Sequence, residues 1–398
     1  MQEYKYLIIG GGMTGDAAVR GIRQADEEGS IGLFSAEPDP PYNRPPLSKD
    51  LWKGMNEEKI WRQTESLQVD MHLSTQVTSL SHEENTVETA DGRTYSYKKL
   101  LLATGGAPIT LDNSPEGVNY FRTYEDFKNL HELSENRDHF VVIGGGFIGS
   151  EIAAALTLNG KQVSLVFPET GICAKIFPED LSAAMNTLYE DHAITLYPGN
   201  QVTHITRDDK EYTLTLDDGS EISSEGVVAG LGIKPNIRLA QDAGLEVSNG
   251  IHVNEYLQTS DSDIYAAGDV ANFHNPALDE RLRVEHEENA NIQGMLAGAN
   301  MTGAGRKYDH QPYFYSDLFD QGYEAVGRTD ASYNVIQDWS EKYEQGVLYY
   351  LKNDILKGVL LWNVFGKLDQ ARNLIQEQGP FSGEDLRGKI KGDRKSVV

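Results

Sequence analysis

Apolar residues in this 398-residue chain come in short, unbroken runs. LII at 7–9, IGLF at 31–34, KKLLLATGG at 98–106, VVI at 141–143, KQVSLVFPE at 161–169, GVVAGLGIKPN at 226–236 and DIYAAGD at 263–269 are each bounded by glycine, proline, serine or an acid. Runs of this length predict buried strands rather than long helices. The runs ending at Ile9 and Ile143 open, past glycines, into Ala-rich stretches that suit helices. Asp91-Gly92 and Asp218-Gly219 mark turns between paired short strands. The last region changes character. YFYSDLF, GYEAVGR and GVLYYLKNDILKGVLLWN are aromatic and β-branched, with a turn at Asn353-Asp354, and predict an antiparallel sheet. A helix is expected near Leu368–Gln376, and the polar tail from about Glu384 is expected to be poorly ordered. No apolar run approaches the ~18–20 residues that span a bilayer.

Two of these strands run into the same glycine pattern: LIIGGGMTG at 7–15 and VVIGGGFIG at 141–149. G-x-G-x-x-G between a strand and a helix is a dinucleotide signature. Gly10 and Gly144 suit the tight turn, Gly12 and Gly146 admit a pyrophosphate, and Gly15 and Gly149 let helix pack on strand. The helix N-terminus supplies free N–H groups and a positive dipole end. Two such turns predict two dinucleotides with electrons passing between them. An acid follows each second strand, Glu37 and Glu169, where a carboxylate can accept hydrogen bonds from ribose hydroxyls. No Arg immediately follows Glu169, which favours NADH over NADPH, although Lys175 lies a few residues on. Length predicts about two to three domains.

The net charge of -26 disfavours nucleic-acid and anionic-membrane partners, which need a basic patch. Only one cysteine is present, Cys173. A dithiol relay needs two, so disulfide-reductase chemistry within the chain is excluded. Structural zinc and cysteine-ligated clusters are disfavoured, no acidic spacing suits a metal, and Cys173 is expected to be a buried small apolar residue. The first strand begins within a few residues of Met1, which predicts no leader peptide and a cytoplasmic location. His310 has no acid or serine partner in a motif and is expected to be structural.

With its two glycine turns, the ATGG at 103–106 and the AAGD at 266–269, the chain resembles the two-dinucleotide-fold flavoprotein oxidoreductases, the glutathione-reductase-like superfamily. That resemblance implies an α/β fold of two Rossmann-like domains plus an α+β C-terminal domain. The implied segments are 1–116 and 243–304 for FAD, 117–242 inserted for NAD(P)H, and 305–398 for the C-terminal domain with its polar tail. PYNRPPLSK at 41–49 is similar to a segment of ferredoxin reductases and apoptosis-inducing factors. LVFPETGICAKIFPE, VEHEENA, NMTGA, HQPYFYSDL, GYEAVG and LWNVF resemble the apoptosis-inducing factors. The ferredoxin reductases usually carry Trp shortly after the acid matched by Glu285, whereas His286-Glu287 follows here, and Tyr315 stands where the mitochondrial proteins carry Trp.

The resemblance also implies roles. Lys49 and Glu151 lie near the flavin N5, the cation stabilising reduced flavin and the acid holding the cation. Phe147 covers the flavin face until nicotinamide arrives, and His286 lies near the isoalloxazine. Further FAD contacts are implied for Arg44, Val77, Ala103, Thr104, Gly105, Asp269, Glu285 and Tyr315. Ile148 and Gly232 are implied to join Gly144, Gly146, Phe147, Gly149, Glu151 and Glu169 in binding NAD. The expected activity is hydride transfer from NADH to FAD, then onward transfer, without a dithiol, to a small redox protein, a quinone or oxygen. The alternatives are an NADH-sensing switch or partner-binding protein with a stable charge-transfer complex, and a ferredoxin or rubredoxin reductase; the expected state is a monomer or an NADH-dependent homodimer. Cell-death activity is not expected to carry over.

Overall fold

The computed structural model describes residues 1–391 and divides them into two compact units. The first holds residues 1–44, 56–107 and 234–312; the second holds 45–55, 108–233 and 313 onward.

The first unit is built on parallel strands. Gln2–Ile9 lies between Ile31–Phe34 and Thr94–Leu102, with Ile9 opposite both Phe34 and Leu102. Asp70–His72 extends one side, and Ile264–Ala266 pairs with the far end of Thr94–Leu102. The run of Leu7, Ile8, Leu100 and Leu101 is almost wholly buried, as a strand covered on both faces requires. The helices Met13–Arg23 and Glu287–Met301 pack face to face. Their backbones approach so closely that a Cβ on Gly21 would overlap the Met295 carbonyl, and one on Gly298 the Ala18 carbonyl.

In the second unit, Thr195–Pro198, Gln162–Phe167, His139–Ile143 and Gly226–Ala229 form a parallel sheet in that order. The helix Phe147–Leu158 packs on it. Three antiparallel strands spanning 202–224 follow, with the turn at Asp218-Gly219 as expected. The C-terminal sheet is antiparallel, in the order Tyr313–Leu318, Gln321–Gly327, Ile355–Trp362, Gln345–Lys352, Asn334–Glu341. Asn353 and Asp354, both left-handed (φ 53° and 62°), turn its central hairpin. Asn and Asp tolerate that region better than other residues with a Cβ. Leu368–Gln376 is helical, as the sequence predicts.

Two expectations change. Asp269 does not end the strand of DIYAAGD. That strand stops at Ala266, and Asp269 lies in a one-turn helix at Gly268–Val270. The tail from Glu384 is ordered at its start. Gly383–Leu386 is a capped helical turn, Ser382 and Asp385 forming a reciprocal capping box, and Leu386 and Ile390 are buried. The sequence reads this stretch as polar because only two apolar residues carry its anchoring. The remainder of the predicted tail lies outside the described residues.

Because Gly298 has no room for a Cβ, Gly298→Ala should destabilise the protein by about 2 kcal/mol through overpacking. Calorimetry should record a melting temperature lowered by several degrees. Gly146→Ala, where a Cβ would meet nothing within 4 Å, should leave it unchanged.

Candidate functional site

In the first unit, Gly10 is left-handed (φ 124°), and a Cβ on it would overlap the Ala103 carbonyl. Gly15 is equally confined by the Gly10 carbonyl. Gly12 caps the helix Met13–Arg23 without a side-chain partner for its first N–H groups. This is the geometry of an anion site. Arg44 reaches it: its Nη2 lies 3.9 Å from where a Gly12 Cβ would be. Arg44 pairs with Glu37 at 2.5 Å, and the Tyr42 hydroxyl donates to the same carboxylate at 2.5 Å. Burial opposes the Arg44 charge, but Tyr42, Glu37 and Asp269 outweigh it and raise its pKa. The predicted ribose acid and phosphate cation are thus each other's partners.

The remaining predicted residues of this unit fall around the same strands. Ala103 donates its N–H to the Ile9 carbonyl at 2.8 Å. Thr104 and Gly105 are locked to Asn236: Thr104 Oγ1 donates to the Asn236 carbonyl at 2.9 Å, Asn236 Nδ2 to the Thr104 carbonyl at 2.8 Å, and the Asn236 N–H to the Gly105 carbonyl at 2.9 Å. Val77 opens the strand Val77–Ser81 and packs half-buried on the core. Glu285 is paired with Arg283 at 2.6 Å, whose Nη1 also donates to the Asp269 carbonyl at 3.0 Å. His286 is the N-cap of Glu287–Met301. Burial pushes its imidazole down to about 4, against the pull of Asp269 and Glu288.

Three features escaped the sequence reading. Asp16, fully buried in the first turn of Met13–Arg23, is met by Arg20 at 2.9 Å, Arg62 at 2.6 Å and Thr64 at 2.7 Å. Gln293, also fully buried, accepts the Gly268 N–H at 2.9 Å, and its Nε2 has no partner among the described residues. His310 is not without an acid: Glu288 lies 2.9 Å from its Nε2. That pairing joins distant segments, so no local motif announces it.

In the second unit the turn repeats. Gly144 is left-handed (φ 109°) against the Gly230 carbonyl, and Gly149 has no room beside the Gly144 carbonyl. Gly146 caps Phe147–Leu158 without a side chain and is exposed, as is Ile148. Phe147 is half-buried, edge-on to Phe314 at 5.3 Å. Glu169 lies beyond Gln162–Phe167, 3.0 Å from the exposed Lys175 ammonium. Gly232 accepts the Ile109 N–H at 2.9 Å.

Glu151, the predicted catalytic acid, is buried. Lys49 Nζ lies 2.5 Å from its Oε1, Ser316 Oγ donates to Oε1 at 2.5 Å, and Ser48 Oγ donates to Oε2 at 2.6 Å. The Tyr315 ring faces Lys49, its centroid 5.2 Å from Nζ. Pro45–Ser48 and Asp50–Lys53 form two short helical turns around Lys49, tied down by Trp52 Nε1 to the Leu47 carbonyl at 2.8 Å and Asn159 Nδ2 to the Trp52 carbonyl at 3.1 Å. Cys173 is buried, and burial pushes its thiol up to about 12.

Residues 4–294 match the pyridine nucleotide-disulphide oxidoreductase family. The chain belongs to that family. Residues 297–340 and 334–377 match the C-terminal region of mitochondrion-associated apoptosis-inducing factor. Apoptosis-inducing factor 1 of Dictyostelium discoideum is 32% identical over 97% of this chain and 80% of its own. Putidaredoxin reductase of Pseudomonas putida is 31% identical over 98% and 96%. The crystal structure of a covalent putidaredoxin reductase–putidaredoxin complex superposes with a TM-score of 0.88 at 29% identity, covering 96% of this chain and 95% of that one. The oxidoreductase family binds FAD and NAD(H), and this chain is one of its flavoenzymes. Two uncapped, glycine-cradled helix starts, the Arg44 cation and the unsatisfied Gln293 donor fit such anionic dinucleotides. The family's disulphide has no counterpart, since Cys173 stands alone. Among the described residues no helix is long and apolar enough to cross a membrane, and no group of three or more His, Cys, Asp or Glu could hold a metal.

The His286 shift has a definite sign. The folded state holds this imidazole neutral down to about pH 4, whereas in the unfolded chain it titrates near 6.5. Its contribution to stability is therefore complete above about pH 6.5 and is lost as pH falls towards 4. Urea unfolding at pH 7 and pH 4 should register this as about 2–3 kcal/mol, and His286→Asn should lose that much less on acidification.

Proposed function

We propose that this flavoenzyme is an NADH-dependent reductase that passes electrons to an external acceptor without a dithiol. The observation that carries the reading is the buried Lys49–Glu151 pair, answered by Ser48 and Ser316. When bound, FAD supplies a two-electron acceptor and NADH supplies the hydride. Lys49 would place a fixed positive charge where negative charge develops on reduction, with Glu151 keeping that ammonium in place. The uncapped helix starts at Gly12 and Gly146 would bind the two pyrophosphates. Glu37 and Glu169 accept from the ribose hydroxyls, and Arg44 lends its charge to the FAD phosphates. Phe147, edge-on to Phe314 at 5.3 Å, would shield the reacting face. In this reading Tyr315 and His286 would each contribute to binding FAD, the latter as a neutral imidazole at physiological pH. Asp269, Glu285, Val77 and the 103–105 turn complete the FAD contacts, and Ile148 and Gly232 the NAD contacts. The three-part division at 116, 242 and 304 belongs to this reading, as does a cytoplasmic location.

A lone buried thiol leaves no internal disulfide to reduce. Electrons must leave to a small redox protein, a quinone or oxygen. Likeness to putidaredoxin reductase along nearly the whole chain supports a small electron-transfer protein. The match at 297–377 to apoptosis-inducing factor favours a second reading, an NADH-responsive switch with a long-lived charge-transfer complex and an NADH-dependent oligomeric state.

Anaerobic stopped-flow reduction by NADH, followed by air, separates the two. A reductase should bleach quickly and recolour promptly; a persistent long-wavelength band would favour the switch. Lys49→Ala should slow flavin reduction by at least about tenfold while FAD affinity changes little. Equal loss of both would reduce Lys49 to a cofactor-holding residue. Glu169→Ala should weaken NADH by about tenfold and, by freeing Lys175, narrow the gap to NADPH. An unaltered NADH dissociation constant would remove Glu169 from the site.

A further inference from the structure

The Lys49–Glu151 pair cannot hold its own geometry. Lysine is a flexible four-carbon stem ending in a point charge, and a glutamate at the fifth position of a helix still has three rotatable bonds. Two further contacts restrict them. Glu151 receives Ser316 on the same oxygen that faces Lys49, at 2.5 Å, and Ser48 on the other, at 2.6 Å. Lys49 in turn lies over Tyr315. Tyr315 and Ser316 are neighbours on the strand Tyr313–Leu318, whose Phe314 also meets Phe147. One strand of the C-terminal sheet therefore touches the lysine, the glutamate and the aromatic ring of the candidate site.

We propose that Ser316 and Ser48 are positioning residues for hydride transfer, fixing the Glu151 carboxylate and through it the Lys49 ammonium. The inference rests on the reductase reading, in which Lys49 acts on the flavin. Ser316 is the more informative of the two. It lies on a different segment from both partners and is almost fully buried. Its hydroxyl shares Oε1 with Lys49, so the oxygen is held on two sides and the ammonium has one docking position. Without that donor the carboxylate can rotate, and the ammonium follows it. Ser48 holds the opposite oxygen and precedes Lys49 in the chain, so it sets the distance between backbone and carboxylate.

The test uses FAD-loaded Ser316→Ala, Ser316→Thr and Ser48→Ala beside Lys49→Ala. Three quantities are read: the limiting rate of flavin reduction by NADH, the NADH dissociation constant, and the flavin midpoint potential measured by dye equilibration. Ser316→Ala should reduce the limiting rate by about tenfold, leave the NADH dissociation constant unchanged and move the potential to a more negative value, because a misplaced cation stabilises reduced flavin less. Ser48→Ala should do the same. Ser316→Thr keeps the hydroxyl and should recover both rate and potential. The inference fails if both alanine variants keep the wild-type rate and potential while Lys49→Ala does not. It fails too if the threonine variant behaves like the alanine one, since the hydroxyl would then be irrelevant. If Lys49→Ala itself reduces normally, the reductase reading of Lys49 falls and the inference falls with it.

Discussion

A carboxylate shut away from water must be met by donors, and Glu151 is the place where this chain accepts that constraint. Leaving such a charge unanswered costs several kcal/mol. Its three donors come from the turn at 48–49 and the strand at 313–318, while Glu151 itself rides on the helix that begins at the second glycine turn. Each source has to be held in turn. The glycine turn seats the helix, since Gly144 and Gly149 admit backbone where a Cβ would not fit. Trp52 and Asn159 pin the proline-rich turn. The five-stranded sheet fixes the strand. Local conformation, tertiary packing and charge are therefore one problem here rather than three.

The two glycine turns share their backbone physics but differ in chemical surroundings. Around the first, charges are already organised: Asp16 is neutralised by Arg20 and Arg62, and Glu37 by Arg44. Holding these groups in place before any ligand arrives lowers the ordering cost of binding. The second turn presents an exposed Gly146 and Ile148, and its acid, Glu169, is paired with the exposed Lys175. A preorganised, charge-balanced site suits a resident cofactor. An open site with one loosely paired acid suits a coenzyme that must enter and leave. The contrast is the one that the proposed assignment, FAD at the first turn and a nicotinamide dinucleotide at the second, calls for.

What the sequence makes legible is local. Glycine spacing, buried runs and the Asn353-Asp354 hairpin are decided within a few residues, so they read directly. Lys49 and Glu151 could be named from motifs. The bonds that hold them could not, because Ser316 is separated from Glu151 by 165 residues and a serine in a strand carries no periodic signal. Arg44 illustrates the same limit. Its charge is legible, but its pairing with Glu37 depends on how the loop after Ile31–Phe34 returns to the glycine turn. Asp16 looks like an ordinary first-turn acid favoured by the helix dipole, and only the fold delivers Arg62 and Thr64 to it. The stretch beginning at Glu384 misleads for the opposite reason. Its composition is that of a disordered tail, yet two buried side chains, Leu386 and Ile390, anchor residues 384–391.

The route by which electrons leave is constrained by what the chain lacks and by what it carries in excess. With a single cysteine the chain can form no internal disulfide, so it holds no sulfur pair to take up two electrons. A net charge of -26 repels acidic carriers at long range, but at physiological salt this repulsion is screened beyond about 8 Å. Net charge therefore governs how fast an acidic protein arrives, not whether it can dock once arrived. Docking is decided by the few charges that face the partner, and pairs such as Lys99 with Asp263 and Lys307 with Glu255 show that neutralised patches exist within the acidic excess. A small neutral oxidant meets none of these barriers. The physical distinction between a carrier reductase and a protein that reacts with small oxidants thus lies in local surface charge, and the chain's overall acidity does not decide it.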